Sequence, residues 1–163
     1  MNYKYYEEKL RDIKIKAPIE AGVEVLAFNV LDNIIDSENL SLVVINSINK
    51  NRNAKLTTDA GISDLAVVSK DFSFKPAKGE VYGFVEVKFI DKKYDEKQIV
   101  GQMSYVKHLL YTDGLIWKYF EKVDNKVTCK WKIYLLKYSN KLTISQNSFN
   151  DLLENLRNID WGK

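Results

Sequence analysis

Cysteine, histidine and proline are scarce in this chain, and each scarcity excludes something. Of 163 residues one is cysteine, Cys129, one is histidine, His108, two are proline and seven are glycine. One cysteine excludes a disulfide framework and a zinc centre built from cysteines. One histidine excludes a histidine metal cluster or a histidine-based nucleophile relay, and His108 reads as an ordinary polar residue on a helix. So little glycine and proline excludes a collagen-like or linker-rich chain. Gly79 and Gly83 lack the spacing of a phosphate-cradling loop. No apolar run approaches the ~18–20 residues that span a bilayer. The N-terminus, Met-Asn-Tyr-Lys-Tyr-Tyr-Glu-Glu, lacks the apolar stretch of a secretory signal. The expectation is a cytoplasmic protein with no membrane partner. Net charge is also small: 25 Lys and Arg against 22 Asp and Glu give +3. Totals therefore select no partner, and a nucleic-acid binder would have to gather its basic residues on one face.

What is present is enough to fold. A hydrophobic share of 45% and an aromatic share of 12% exclude intrinsic disorder. The length suits one domain, taken as residues 1–163, able to bury roughly 70% of the surface of its unfolded chain. Residues 3–14 read as a short exposed helix or arm. Pro18 suits the first turn of a helix running to about Ile35, with Val23, Leu26, Ala27, Val30, Leu31 and Ile34 at helical spacing. Strands are expected near 41–48, 62–69 and 81–90, the last two joined by a hairpin-type connection at 70–80. A second helix is expected over 96–111, stopped by Asp113-Gly114. A hairpin across Asp124-Asn125 and a helix near 148–157 follow. The order α-β-β-β-α-β-β-α predicts an α/β fold, a mixed central sheet flanked by helices.

The segment Val81-Tyr82-Gly83-Phe84-Val85-Glu86-Val87-Lys88-Phe89-Ile90 carries the chemistry. A strand's period of two sets Val85, Val87 and Phe89 on one side and Glu86 and Lys88 on the other. An acid and a base inside an apolar strand are expensive if buried. On an exposed face the same pair would be worth little. Asp-x-Lys and Glu-x-Lys recur elsewhere in the chain, but not inside an apolar strand. Asp64 opens the preceding apolar strand, and a hairpin brings Asp64 and Glu86 to one end of the sheet. Two carboxylates with an open face suit Mg²⁺, which takes oxygen ligands and keeps waters. A neighbouring lysine can orient or help deprotonate the attacking water and stabilise charge on phosphorus.

Asp64 followed by Glu86-Val87-Lys88, on neighbouring strands between two helices, resembles the PD-(D/E)XK nuclease superfamily. The resemblance covers residues 17–121, with Ser63 where the family name expects proline. It implies a restriction-endonuclease-like core. It also implies metal ligation by Asp64, Glu86 and the backbone carbonyl of Val87, with Lys88 as the catalytic lysine. Many members add a glutamate from the first helix, which here is Glu20, with Glu24 as the alternative. Gln98-Ile99-Val100-Gly101-Gln102-Met103-Ser104-Tyr105 is similar to the Gln-and-Tyr motif of RecB-like branches. That similarity adds Gln98 or Gln102 beside the lysine and Tyr105 toward DNA. Residues 111–120 resemble a strand of restriction-type nuclease domains, although Trp117 also reads as plain core. Lys50, Arg52, Lys55, Lys92 and Lys93 flank the cluster in loops and are candidate phosphate contacts.

Two functions follow. The first is an Mg²⁺-dependent deoxyribonuclease, with Mn²⁺ as substitute, DNA as partner, endonucleolytic rather than exonucleolytic action and a homodimer for duplex cutting. Its specificity would come from loops or DNA shape. The alternative keeps the fold without catalysis, as a nucleic-acid-binding or protein-binding inhibitor or accessory factor. The Asn-, Ile-, Lys- and Tyr-heavy usage resembles proteins of AT-rich bacteria or their phages.

Overall fold

A computed structural model describes residues 1–47, 54–76, 78–92, 95–138 and 141–162. A mixed six-stranded sheet lies at its centre. Its strands are β1 (Leu40–Val44), β2 (Leu65–Ser69), β3 (Val81–Val87), β4 (His108–Thr112), β5 (Ile116–Val123) and β6 (Lys126–Tyr134), and they adjoin in that order. Every pairing is antiparallel except β3 with β4. A parallel pair needs a crossover, and α3 (Glu96–Gln102) lies within it. The other helices are α1 (Tyr3–Lys16), α2 (Glu20–Asp32) and α4 (Gln146–Arg157), with a small pair β7 (Leu136–Tyr138) and β8 (Lys141–Ile144) before α4.

The strand sequences explain the layering. β2 and β4 are buried throughout and β3 through its last five residues, as near-continuous apolar runs covered on both faces should be. On one face Leu65, Val67, Val85, Val87, Leu110 and Trp117 pack with Tyr6 and Leu10 of α1, with α2 and with α4. On the other, Ala66, Val68, Phe84, Leu109 and Tyr111 pack with Ile99 of α3 and with Met103 and Val106. β6 is largely exposed at one edge and carries Lys126, Lys130 and Lys132, charges that discourage further strand pairing. Asp124 and Asn125 both have positive φ, 49° and 61°, as the expected tight hairpin turn requires.

Three expectations need correcting. The helix expected over 96–111 ends at Gln102, and residues 108–112 are β4, so His108 lies on a strand. His-Leu-Leu-Tyr-Thr is a short apolar run, which periodicity alone does not separate from a buried helix. Parallel pairing with β3 decides it: Met103 and Val106 go to one face of the sheet and Leu110 to the other. Asp113-Gly114 consequently turns β4 into β5, with Asp113 Oδ1 accepting from the N–H groups of Leu115 and Ile116 at 2.9 and 2.7 Å. The segment 3–14, expected as a short exposed helix or arm, is a helix, and it is not simply exposed: its Tyr6 and Leu10 are fully buried.

Tyr6 ties that helix to the sheet. Its hydroxyl donates to the carbonyl of Gly114 at 2.7 Å and accepts from Trp117 Nε1 at 3.2 Å. Gly114 has φ +85°, and an added Cβ there would sit 2.7 Å from Leu10 Cδ1. No helix among the described residues is long and apolar enough to cross a membrane. Tyr6→Phe strands the indole N–H and the Gly114 carbonyl, so urea unfolding should show a loss of about 1–3 kcal/mol. An unchanged midpoint would mean the hydroxyl is not holding α1 in place.

Candidate functional site

Strand register builds the site. Leu65 of β2 lies opposite Val85 of β3, so one further step sets Asp64 beside Glu86. The Asp64 N–H donates to the Val85 carbonyl at 3.2 Å, and Asp64 Oδ2 accepts from the Val87 N–H at 2.7 Å. Ala66, Val68 and Phe84 face α3. Alternate residues share a face, so Asp64, Glu86 and Lys88 turn to that side as well.

Glu86 is 3% exposed. Lys88 Nζ and Gln98 Nε2 both donate to its Oε1, and Gln102 Nε2 donates to its Oε2. Gln98 and Gln102 are one helical step of four apart, which puts both amides on the face of α3 turned to Glu86. Both glutamines thus hold the carboxylate rather than the lysine. Three donors meet one carboxylate where bulk water does not reach, so no oxygen of the buried acid is left unpartnered. Lys88 Nζ also donates to the Val87 carbonyl at 3.1 Å, and the Lys88 N–H extends the parallel ladder to the Thr112 carbonyl at 2.8 Å.

Two more acids approach from α2. Glu20 Oε2 accepts from the Phe89 N–H at 3.2 Å, just past the end of β3. Glu24 accepts from Asn46 Nδ2 at 2.7 Å, a partner with no signal in the sequence. Burial pushes the Glu24 carboxyl up, and the charge of Glu20 adds to it. Burial likewise pushes Asp64 up, to about 7, with Glu86 and Glu20 adding repulsion against the Val87 N–H and Lys88. At Lys88 burial works to lower the ammonium. The hydrogen bond to Glu86 and the charges of Glu86, Glu20 and Asp64 outweigh it and raise the group.

The donor set fits a hard cation. Glu86 Oε1 and the Val87 carbonyl converge on one positive centre, the Lys88 ammonium, with Asp64 alongside. Gln102 Oε1, on the amide that reaches Glu86, is buried without a hydrogen-bond partner, so an acceptor stands idle beside the cluster. No three His, Cys, Asp or Glu side chains form a metal-holding group among the described residues. A cation here would therefore rest on Asp64, Glu86 and the Val87 carbonyl, with water or substrate oxygens completing the shell, the habit of Mg²⁺.

The remaining expected contacts scatter. Lys55 Nζ donates to the Gly79 carbonyl and pairs with Glu80 at 3.5 Å, before β3 begins. Six residues of strand, about 20 Å, separate that end from Glu86, which removes Lys55 from the rim. Tyr105 is 69% exposed and its hydroxyl meets Asp59 at 3.5 Å, beyond the C-terminal end of α3. It does not join the cluster. Lys92 is exposed, and its carbonyl accepts from the Tyr111 hydroxyl at 2.8 Å. Lys50, Arg52 and Lys93 lie outside the described residues. Trp117 is fully buried, as plain core. Reading the sequence overlooked Lys118, 5% exposed within Leu115-Ile116-Trp117-Lys118-Tyr119-Phe120. The signal was the one that singled out Glu86, a charge inside an apolar strand.

No protein-family model, curated protein or solved structure matches the chain.

Asp64 predicts a pH-dependent cost. Its folded-state value lies above that of an unfolded aspartate, so folding loses stability as pH rises through the interval between about 4 and about 7. An asparagine in its place can still accept from the Val87 N–H but never ionises. In chelator, Asp64→Asn should match the parent's melting temperature at pH 4 and exceed it progressively up to pH 8. Parallel melting curves across that range would rule out the buried charge.

Proposed function

We propose that this chain is a divalent-metal-dependent nuclease with a restriction-endonuclease-like core, hydrolysing DNA phosphodiester bonds with Mg²⁺ or Mn²⁺. One observation carries the reading. At one end of the sheet Glu86 Oε1 and the Val87 carbonyl close on a single cationic centre, with Asp64 beside them and Lys88 supplying the charge. The order Asp64, Glu86-Val87-Lys88 is the one that resembles the PD-(D/E)XK superfamily.

A bound divalent cation supplies a more acidic water and neutralises charge on the phosphate. The residues divide the remaining work. Asp64 and Glu86 offer the carboxylates, and the Val87 carbonyl a fixed oxygen. Gln98 and Gln102 hold Glu86 in one orientation from α3. Lys88 has a flexible four-carbon stem. Once parted from Glu86, its amine orients the attacking water and stabilises the charge that builds on the phosphoryl oxygens. In the hydrolysis the water oxygen bonds to phosphorus, a P–O bond to one sugar breaks, and the water's proton ends on the departing alkoxide. Glu20 supports the metal end from α2, with Glu24 behind it. One site cuts one strand, so duplex cutting calls for two copies, and endonucleolytic action by a homodimer fits.

A second reading keeps the fold without catalysis, as a domain that binds nucleic acid or a protein partner. Its support is that both Glu86 oxygens are already engaged by donors of the chain itself.

A panel of supercoiled, linear, single-stranded and branched DNA, with Mg²⁺, Mn²⁺ or chelator, tests the proposal. Metal-dependent cleavage should appear, and Glu86→Ala or Lys88→Ala should reduce it at least ~100-fold, at a temperature where a thermal melt shows each variant still folded. Cleavage by both variants at the parent's rate would refute the assignment.

A further inference from the structure

Pairing registers draw a single row across the α3-facing side of the sheet. Glu86 lies beside Tyr111, Tyr111 beside Lys118, and Lys118 beside Lys132, on β3, β4, β5 and β6. Asp64 precedes them on β2, so the row runs acid, acid, aromatic, base, base. Adjacent strands are about 4.8 Å apart, which sets Lys118 roughly 10 Å and Lys132 roughly 14 Å from Glu86 along the backbone. Past Tyr111 the row opens into a cavity of about 540 Å³, lined among others by Lys92, Glu96, Tyr111, Lys118 and Lys132.

Charge and aromatic surface are arranged together there. Lys118 Nζ lies 5.6 Å from the centre of the Tyr111 ring, and Lys132 Nζ 4.4 Å from that of Tyr134. Tyr134 is not itself part of the lining; it pairs across the strands with the lining residue Ile116 and is 54% exposed. The lining also holds acids, two of them engaged elsewhere. Asp91 pairs with Lys14 at 3.3 Å, and Asp113 Oδ1 accepts from two N–H groups of its own turn. Glu96, in the first turn of α3, is the remaining acid facing the lysines.

Resting on the nuclease reading, we infer that this groove binds a nucleotide of a single DNA strand continuing from the Glu86 end, its phosphate on Lys118 and Lys132 and its base against Tyr134. The size argues for one strand, because a cavity of this volume takes a small-molecule-sized ligand and not a base-paired duplex. So does the chemistry. An exposed ring beside lysines is a stacking platform for an unpaired base, and paired bases have their faces covered by their neighbours. The substrate class is therefore DNA with a single-stranded segment at the cut, such as a flap, an end or a free strand.

Fluorescence anisotropy with a labelled oligothymidylate in chelator tests the groove, with a hairpin duplex measured in parallel. Lys132 and Tyr134 are exposed on edge strand β6, so Lys132→Gln and Tyr134→Ala should fold, which thermal melts check. Tyr134→Ala should weaken single-strand binding roughly 5- to 100-fold. Lys132→Gln should lower the slope of log affinity against log salt by about 0.7. Duplex affinity should change less than about twofold in either variant. Parent-like single-strand binding by both variants, or an equal loss on the duplex, overturns the groove. If the parent still shows metal-dependent cleavage that Glu86→Ala abolishes, that failure leaves the nuclease reading standing. A parent that neither binds nor cuts any strand overturns both.

Discussion

One buried carboxylate organises this end of the molecule. Glu86 sits almost out of reach of water on a central strand, where an isolated charge would cost several kcal/mol. Its three donors come from two elements, Lys88 at the end of its own strand and Gln98 and Gln102 from α3. That requirement fixes where α3 lies, because both amides must descend on Glu86 together. The helix is short, and Gly101 lets it close against Ala60, where a Cβ would come within 2.8 Å.

The sheet then determines what surrounds Glu86. Antiparallel pairing with β2 delivers Asp64, and parallel pairing with β4 delivers Tyr111. The beginning of α2 adds Glu20 beyond the end of β3. Burial first, with repulsion from the charges of Glu86 and Glu20 adding to it, pushes the Asp64 carboxyl up to about 7. Lys88 is the chain's own answer to that repulsion. In the proposed function a cation held by Asp64, Glu86 and the Val87 carbonyl would offset the repulsion more strongly, and the Lys88 amine would be free to face the phosphate.

Much of this was legible in the sequence, for identifiable reasons. Glu86 and Lys88 stood out because charges are costly in an apolar strand, and Asp64 because a hairpin closes at that end. The strands β2, β3 and β5 and the buried stripe of α2 follow from apolar runs and helical spacing that burial on the sheet preserves, and β6 from the Asp124-Asn125 turn that folds it back on β5. β4 was hidden because Leu109-Leu110-Tyr111 carries no period of its own, and only its partner β3 makes it a strand. Tyr6 and Leu10 looked like parts of an exposed helix or arm, since what buries them is α4 and the Gly114 turn, far along the chain. Lys55 looked close to the site in sequence, yet its ion pair lies at the opposite end of β3. Loop charges have no local pattern that says which end of a sheet they will meet.

The proposed catalysis and its non-catalytic rival differ over one exchange, whether a divalent cation replaces the Lys88 ammonium between Glu86 and Val87. Calorimetric titration of Mn²⁺ into the parent and into Glu86→Gln at pH 8 reads it directly. The catalytic account predicts one Mn²⁺ site at millimolar or tighter affinity in the parent and none in the variant. Absence of binding to the parent at millimolar Mn²⁺, or equal binding to both proteins, would contradict it.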